Sequence, residues 1–355
     1  MLPYLSISLF VFLISLIDYK INKNLKYILK IIFLSIIVLF IGFRYEVGAD
    51  WNSYLSHYNE MDGLNFLDIL NKQEVGYMLL NYISWNFGLG INFVNLICAL
   101  IFIYGIYNFI KTYPYFWLSI MILLYSIYVV GGGYTRQSVA LGFVFFALSF
   151  WEESKLKYIL CIFVAFIFHY TVLFMLIFYI ISVKSRLIQF LYIFLIIFIL
   201  IILGDKYLYT KVSVYVFSDD YVSGGAMTRI LLNLIPSLIY IYFYYKKQNN
   251  YKKQNNYKKQ NNYKKQNDIW LNISFTNIFL FFSSFYFSLI ADRLALYLVP
   301  IQIIGYFTLI DNVKSNLKPF IYFMISFLYF IVIIYWFNFA THADSWIPYK
   351  VSVFK

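Results

Sequence analysis

Long apolar runs separated by short polar stretches recur along the whole chain. A helix needs about 20 apolar residues to cross the hydrocarbon core of a membrane, and most of the runs approach that length. The runs are 2–17, 27–43, 91–110, 115–131, 135–151, 158–168, 170–183, 187–204, 229–245, 269–290, 293–310 and 317–338. This pattern predicts an all-α, polytopic transmembrane helical bundle with about 12 spans, in a single membrane domain that covers residues 1–355.

The composition excludes a soluble protein. Hydrophobic residues make up 62% of the chain and charged residues 12%, and the mean hydropathy is +0.72. Soluble domains are about half apolar and a quarter charged.

The first apolar run lacks a basic segment before it and a small-residue cleavage site after it, so we expect no cleavable signal peptide. Cys98 and Cys161 both lie inside apolar runs, where packing is the expected role and a disulfide or metal site is not. We expect membrane lipid as a partner and no nucleic acid.

The lysines indicate which loops face the cytoplasm. Cytoplasmic loops of membrane proteins carry an excess of Lys and Arg. All the lysine clusters can face inwards only if 158–183 is a hairpin with His169 at its tip, and if 75–88 is a re-entrant or interfacial segment. Both chain ends then lie outside. The loop 44–74 is acidic, with six carboxylates against Arg44 and Lys72, and is predicted to be periplasmic.

A tandem repeat occupies residues 245–268, with YKKQNN three times and then YKKQND. It carries eight lysines and shows no apolar periodicity. Segments of this kind are usually solvated. We predict a cytoplasmic loop here.

The arginines are distributed differently from the lysines. Four of the five are predicted at the outer face, namely Arg44, Arg136, Arg229 and Arg293, and only Arg186 is inside. Arg136, Arg229 and Arg293 are predicted in first helical turns. The macrodipole disfavours a cation at these positions unless an anion binds. Glycines precede two of these helix starts and would let the backbone approach a ligand. An outward-facing polyanion site is one interpretation; local pairing, such as Arg293 with Asp292, is the other.

Two further residues, Asp50 and His169, are candidates for acid–base chemistry. Asp50, Tyr54 and His57 have i, i+4, i+7 spacing and would share one face of a helix. Asp50 is a candidate general base or sugar ligand, with a solvated acid paired to Arg44 as the alternative. His169 is a second candidate base or phosphate ligand, with an interfacial aromatic-belt residue as the alternative. No metal-ligand spacing, P-loop or Ser-His-Asp pattern is present, so we expect neither a metal nor a cofactor.

Short segments of the chain resemble the EpsG-like branch of the Wzy-type O-antigen or exopolysaccharide polymerases. They are FRYEVGADWNSY (43–54), EVGYMLL (74–80), TRQSVALG (135–142), FHYTVLF (168–174) and RLALYLVP (293–300). The resemblance implies a GT-C-like membrane glycosyltransferase of the bacterial inner (plasma) membrane, active at the periplasmic face. Such an enzyme transfers a glycan from undecaprenyl pyrophosphate to a sugar hydroxyl of another lipid-linked oligosaccharide. A chain-length regulator and a flippase are the protein partners that it implies.

The resemblance also assigns roles to residues. Arg44, Arg136, Arg229 and Arg293 are predicted to bind the pyrophosphate. Asp50 is the first candidate for the base and His169 the second. Tyr54, Gln137 and Tyr297, which lie within the matching segments, are predicted to bind sugar. Two alternatives stay open, a lipid-linked oligosaccharide flippase or other transporter and an O-antigen ligase. Transporters place polar residues near the bilayer midplane, whereas here they cluster at one predicted face.

Overall fold

A computed structural model describes residues 1–18, 21–182, 225–253 and 268–352. Its α-helices are α1 Leu2–Ile17, α2 Lys23–Gly42, α3 Trp51–Asn59, α4 Phe66–Leu70, α5 Val75–Asn86, α6 Gly90–Ile110, α7 Phe116–Ser126, α8 Thr135–Ser149, α9 Lys155–Phe166, α10 Leu176–Ser182, α11 Ala226–Lys253, α12 Asp268–Ser283, α13 Ser288–Tyr297, α14 Pro300–Asn312 and α15 Lys318–Phe339. The prediction of a helical fold is confirmed. The predicted span 187–204, Arg186 and most of the repeat lie outside the described residues.

Within the described residues, four helices are long and apolar enough to cross a membrane, or five if a bent pair counts as one span. The four are Lys23–Gly42, Gly90–Ile110, Ala226–Tyr251 and Ser315–Phe339. The bent pair is α13 and α14, which meet at 61°. Large apolar side chains on α2 face outwards, among them Ile28, Ile32, Ile36 and Leu39, as expected of a surface that contacts lipid. These features are those of a membrane protein, and the count of about 12 spans stays a prediction.

The structure shows the local form of two ambiguous stretches and one helix end that differs from the predicted one. The first ambiguous stretch, 75–88, forms the 12-residue helix α5, which is too short to cross a membrane. The stretch 158–183 is interrupted between α9 and a 3-10 turn at Tyr170–Met175, around the predicted hairpin tip at His169. The re-entrant course of the first stretch and the hairpin of the second stay predictions. The helix α11 continues through the first copy of the repeat to Lys253 instead of ending at residue 245. Tyr, Lys, Gln and Asn are all tolerated in a helix, and this part of the repeat contains no Gly or Pro to end it.

The chain divides into two compact units, residues 1–172 with 319–355, and residues 173–318. In the first unit, α6 packs against α2 and α8, and the segment from Phe116 to Gly131 is buried throughout. Glycine permits the close contact of α6 with α8, because a Cβ on Gly105 would lie 1.9 Å from the carbonyl oxygen of Gly142. Small residues at helix contacts are typical of membrane proteins. In the second unit, α11 packs against α12, α13 and α14.

The C-terminal segment of the first unit packs back onto residues 43–48. The backbone N–H groups of Tyr45 and Gly48 donate to the carbonyls of Lys350 and Ser345, at 3.0 and 2.7 Å. An isolated antiparallel bridge joins Arg44 to Val351. These contacts hold the segment that leads into α3.

Candidate functional site

The turn before α3 places Asp50 and Tyr54. Gly48 has a φ of +102°, and a Cβ there would lie 2.4 Å from the carbonyl oxygen of Gly132, so only glycine fits. Asp50 precedes the first residue of α3, and its carbonyl accepts the N–H of Tyr54 at 3.0 Å. Tyr54 is buried in an apolar cluster with Trp51. The predicted helical spacing of Asp50, Tyr54 and His57 is therefore present.

Glu74 begins α5 in an unusual conformation. Its φ is +52°, in the left-handed region that residues other than glycine rarely adopt. Gly76 follows, and its N–H donates to the carbonyl of Ile167 at 2.8 Å. A Cβ on Gly76 would lie 3.0 Å from Ile167 and 3.1 Å from Phe168. The start of α5 therefore packs closely on the turn after α9, which carries His169.

Glu74, Arg136 and His169 form a buried ionic cluster. Nδ1 of His169 lies 2.5 Å from Oε1 of Glu74, and Nη1 of Arg136 donates to Oε2 at 2.5 Å. The side chains of Glu74 and His169 are 3% and 8% exposed, whereas that of Arg136 is 26% exposed. One carboxylate therefore contacts both a histidine and an arginine, and the arginine side chain stays partly exposed.

Tyr54 covers one side of Arg136. The guanidinium carbon lies 5.5 Å from the centre of the Tyr54 ring, within cation–π range. Burial raises the pKa of Tyr54 to about 12, and the nearby carboxylate of Asp50 adds to this shift. Tyr54 is therefore protonated at neutral pH. Burial and then the charge of Arg136 lower the pKa of His57, which also lies close to the cluster.

The second ring nitrogen of His169, Nε2, is buried and has no hydrogen-bond partner among the residues that the structure describes. Buried polar atoms are nearly always paired, so each exception needs an explanation. Because Glu74 accepts from Nδ1–H, the neutral tautomer would leave Nε2 as an acceptor. This nitrogen could accept a proton from a bound hydroxyl.

Arg44 lies next to this cluster but is not at the surface. It is 2% exposed, and it donates to the carbonyl of Ile41 at 2.7 Å, to Asn95 Oδ1 at 3.2 Å and to Thr135 Oγ1 at 2.6 Å. These contacts tie the end of α2 to α6 and to the first residue of α8. The C-terminal dipole of α2 favours a cation at this position. Arg44 thus fixes the helix start from which Arg136 projects.

The glycines before Arg136 pack against protein, which corrects the expectation that they leave room for a ligand. A Cβ on Gly133 would lie 2.1 Å from the ring of Trp346, and one on Gly132 would lie 3.1 Å from its Nε1. Trp346 is fully buried, and Nε1 donates to the carbonyl of Tyr128 at 3.1 Å. Gln137, the predicted sugar ligand on α8, is also buried.

The remaining predicted residues belong to the second unit. Nε and Nη2 of Arg229 donate to Oδ1 and Oδ2 of Asp292, each at 2.5 Å, in a two-pronged contact between α11 and α13. Asp292 therefore pairs with Arg229, where sequence reasoning considered Arg293. Arg293 lies in the second turn of α13, because this helix begins at Ser288 and not near residue 293. Arg293 therefore lies outside the first helical turn, which corrects its predicted position. Tyr297 ends α13 and is buried.

Sequence reasoning missed Glu74 as a site residue. It falls inside the segment EVGYMLL, directly before an apolar stretch, and was counted only as a loop carboxylate. A carboxylate two residues before a Gly, at the start of an apolar helix, was the available signal. Among the described residues, no group of three or more His, Cys, Asp or Glu side chains could hold a metal ion.

Comparison with known proteins identifies the family of this chain. No curated protein matches the chain, and no solved structure matches it. The model of the EpsG family matches residues 26–351, nearly the whole chain, and so includes the Glu74–Arg136–His169 cluster. The chain therefore belongs to the EpsG family, a family of Wzy-like polysaccharide polymerases.

Proposed function

We propose that this protein is a polysaccharide polymerase that joins oligosaccharide repeat units carried on undecaprenyl pyrophosphate. The observation that supports this most directly is the Glu74–Arg136–His169 cluster, which combines a base and a cation at one carboxylate. Glycosyl transfer from a lipid pyrophosphate needs both groups. The acceptor hydroxyl must lose a proton, and the leaving pyrophosphate carries away negative charge.

In the proposed reaction, a hydroxyl oxygen of the acceptor unit attacks the anomeric carbon of the donor glycan. The bond from this carbon to the pyrophosphate oxygen breaks, and undecaprenyl pyrophosphate leaves with the electron pair. Nε2 of His169 takes the hydroxyl proton. Its burial and its contact with Glu74 favour His169 over Asp50, which lies partly exposed at the start of α3.

Arg136 is the proposed pyrophosphate ligand. A guanidinium has five N–H donors in a fixed fork, and Glu74 uses the Nη1 side of it. The accessible edge of the side chain leaves donors for a phosphate oxygen. Arg44 supports it by holding Thr135. Asp50, which is partly exposed and lies near Tyr54, is the proposed contact to the acceptor sugar. The buried Tyr54 supports Arg136 from one side.

We further propose about 12 spans in a GT-C-like bundle, with both chain ends and this site at the periplasmic face of the inner membrane. The distribution of lysines and the acidic character of residues 44–74 support this orientation. Reporter fusions at Asp62 and after Lys355 should be periplasmic, and one at Asn255 cytoplasmic. A cytoplasmic C-terminus would contradict the proposed orientation.

The direct test is polymerisation by the purified protein in lipid nanodiscs. The substrate is the undecaprenyl-pyrophosphate-linked repeat unit extracted from a strain that lacks this gene, and mass spectrometry measures products of two or more units. We expect lipid-linked polymer to form from this substrate alone. Transfer only to a lipid A core acceptor would indicate a ligase. Movement of the substrate across a sealed membrane without bond formation would indicate a flippase.

A further inference from the structure

We propose that Glu74 is a positioning residue that couples donor binding at Arg136 to the basic strength of His169. The inference rests on the proposed function, because it assigns Arg136 to the donor pyrophosphate and His169 to the acceptor hydroxyl. It goes beyond that function by predicting that the donor binds first and that His169 then becomes a stronger base.

The geometry supports a coupling of this kind. Glu74 contacts the two side chains through different oxygens, Arg136 through Oε2 and His169 through Oε1, each at 2.5 Å. The carboxylate is almost fully buried, so water screens these charges little. Without donor, the charge of Arg136 offsets that of Glu74 at the imidazole. A change of charge at Arg136 therefore alters the electrostatic potential at His169, and the reverse also holds.

A pyrophosphate bound to Arg136 would reverse this balance. It adds negative charge beside the guanidinium and competes with Glu74 for the N–H donors of Arg136. More of the carboxylate's negative charge then acts on His169, and a nearby negative charge favours the protonated imidazole. A base with a greater affinity for protons accepts the hydroxyl proton more readily. Departure of undecaprenyl pyrophosphate would restore the resting state and release the proton.

The conformation of Glu74 agrees with a positioning role. Its left-handed backbone, with φ +52°, lies two residues before Gly76, whose N–H donates to the carbonyl of Ile167 at 2.8 Å. Such strain persists only where the surrounding structure enforces it. Other titratable side chains near the cluster are Asp50, Tyr54, His57, Tyr77 and Tyr170. Tyr54 and Tyr77 have raised pKa values from burial, so both stay neutral across the pH range of histidine titration.

The experiment titrates the histidines of the full-length protein in nanodiscs by NMR, with ¹⁵N-labelled imidazole rings and farnesyl pyrophosphate as the probe. The chain has three histidines, and a His169→Asn variant assigns the His169 signal. We expect saturating probe to move the titration midpoint of His169 to higher pH by about one unit. The exposed His342 should not respond, and uncharged farnesol should have no effect.

Two variants separate coupling from a merely structural role. Glu74→Gln keeps the shape of the side chain and removes its charge, so the response of His169 to the probe should shrink severalfold while the fold persists. Glu74→Asp keeps the charge and should restore most of the response. Arg136→Ala should abolish it, because the probe is no longer held. In the polymerase assay, Glu74→Gln should move the pH dependence of kcat to lower pH, because His169 loses a nearby negative charge. It should also lower kcat more than it raises KM.

An unchanged His169 titration at saturating probe would overturn the coupling, and so would failure of the probe to bind. Both outcomes leave the polymerase assay to judge the proposed function separately. Normal polymer formation without a response would refute the coupling alone. A clear response in a protein that makes no polymer would support the coupling and refute the polymerase function.

Discussion

Arg136 and Arg229 are both held by carboxylates, but in different arrangements. In the first unit, Glu74 gives one oxygen to Arg136 and the other to His169. In the second unit, both carboxylate oxygens of Asp292 accept hydrogen bonds from Arg229, one from Nε and one from Nη2. The side chain of Arg136 is 26% exposed and that of Arg229 is 11% exposed.

The difference distinguishes the proposed catalytic site from a contact that joins two helices. Next to the Arg229–Asp292 pair, Asn233 donates to the carbonyl of Ala295 at 2.8 Å and accepts from Gln302 at 2.7 Å. These contacts lie at the bend between α13 and α14, where backbone groups lose helical partners. Side-chain partners at such breaks are expected in membrane proteins. The second cluster therefore joins α11 to the two helices at this bend. In the first, the buried Nε2 of His169 has no hydrogen-bond partner within the described part of the chain.

The largest effect is expected for His169→Asn. Loss of a general base lowers rates about 10²–10⁴-fold, so polymer formation should fall by that factor with little change in protein level. The matched control is His342→Asn, since His342 is exposed. The assay counts repeat units joined per minute by purified protein. Activity within threefold of the native protein would remove His169 from the chemistry.

Next in size is the effect of Asp292→Ala on stability. Removing one partner of a buried ion pair costs about 3–5 kcal/mol, because the remaining charge is left unpaired. Thermal unfolding in detergent should therefore begin at a clearly lower temperature. The double variant Asp292→Leu, Arg229→Met should recover most of the loss, as expected when a buried pair is replaced by apolar groups. An unchanged unfolding temperature in the single variant would show that the pair does not stabilise the unit.

Arg136→Lys should have a smaller effect, on activity alone. Lysine keeps the charge but loses the planar fork. Charge-assisted hydrogen bonds contribute about 1.5–3 kcal/mol, which corresponds to a loss of about 10- to 150-fold. Arg229→Lys is the matched comparison, and its activity per folded molecule should stay near normal. Equal losses for both would mean that Arg229 also contacts the pyrophosphate, as the sequence predicted.

The smallest effect is expected for Asp50→Asn. As a ligand of a sugar hydroxyl, Asp50 contributes about one hydrogen bond, of about 0.5–1.5 kcal/mol. Polymer formation should then fall by about 2- to 12-fold, chiefly through a higher KM. Complete loss of activity, with His169→Asn still active, would reverse the assignment of the base.

Much of the helical framework follows from the sequence. Apolar runs coincide with helices, such as 2–17 with α1 and 91–110 with α6. This is because the hydrophobic pattern and helix propensity act over a few neighbouring residues. The family, too, was recognisable from segments of eight residues or so, such as TRQSVALG. The boundaries of α13 were missed, because the polar pair Asp292 and Arg293 interrupts the apolar pattern although the helix continues through it.

The partner of each charged side chain was decided only by the tertiary structure. Glu74 lies 62 residues from Arg136 and 95 from His169, and 63 residues separate Arg229 from Asp292. Hydrophobic periodicity reaches about one helical turn along the chain and contains no information on such distances. The sequence could mark Arg136 and His169 as candidates by residue type. Only the packing of α5 on the turn after α9 brings Glu74 between them, through the space left by Gly76.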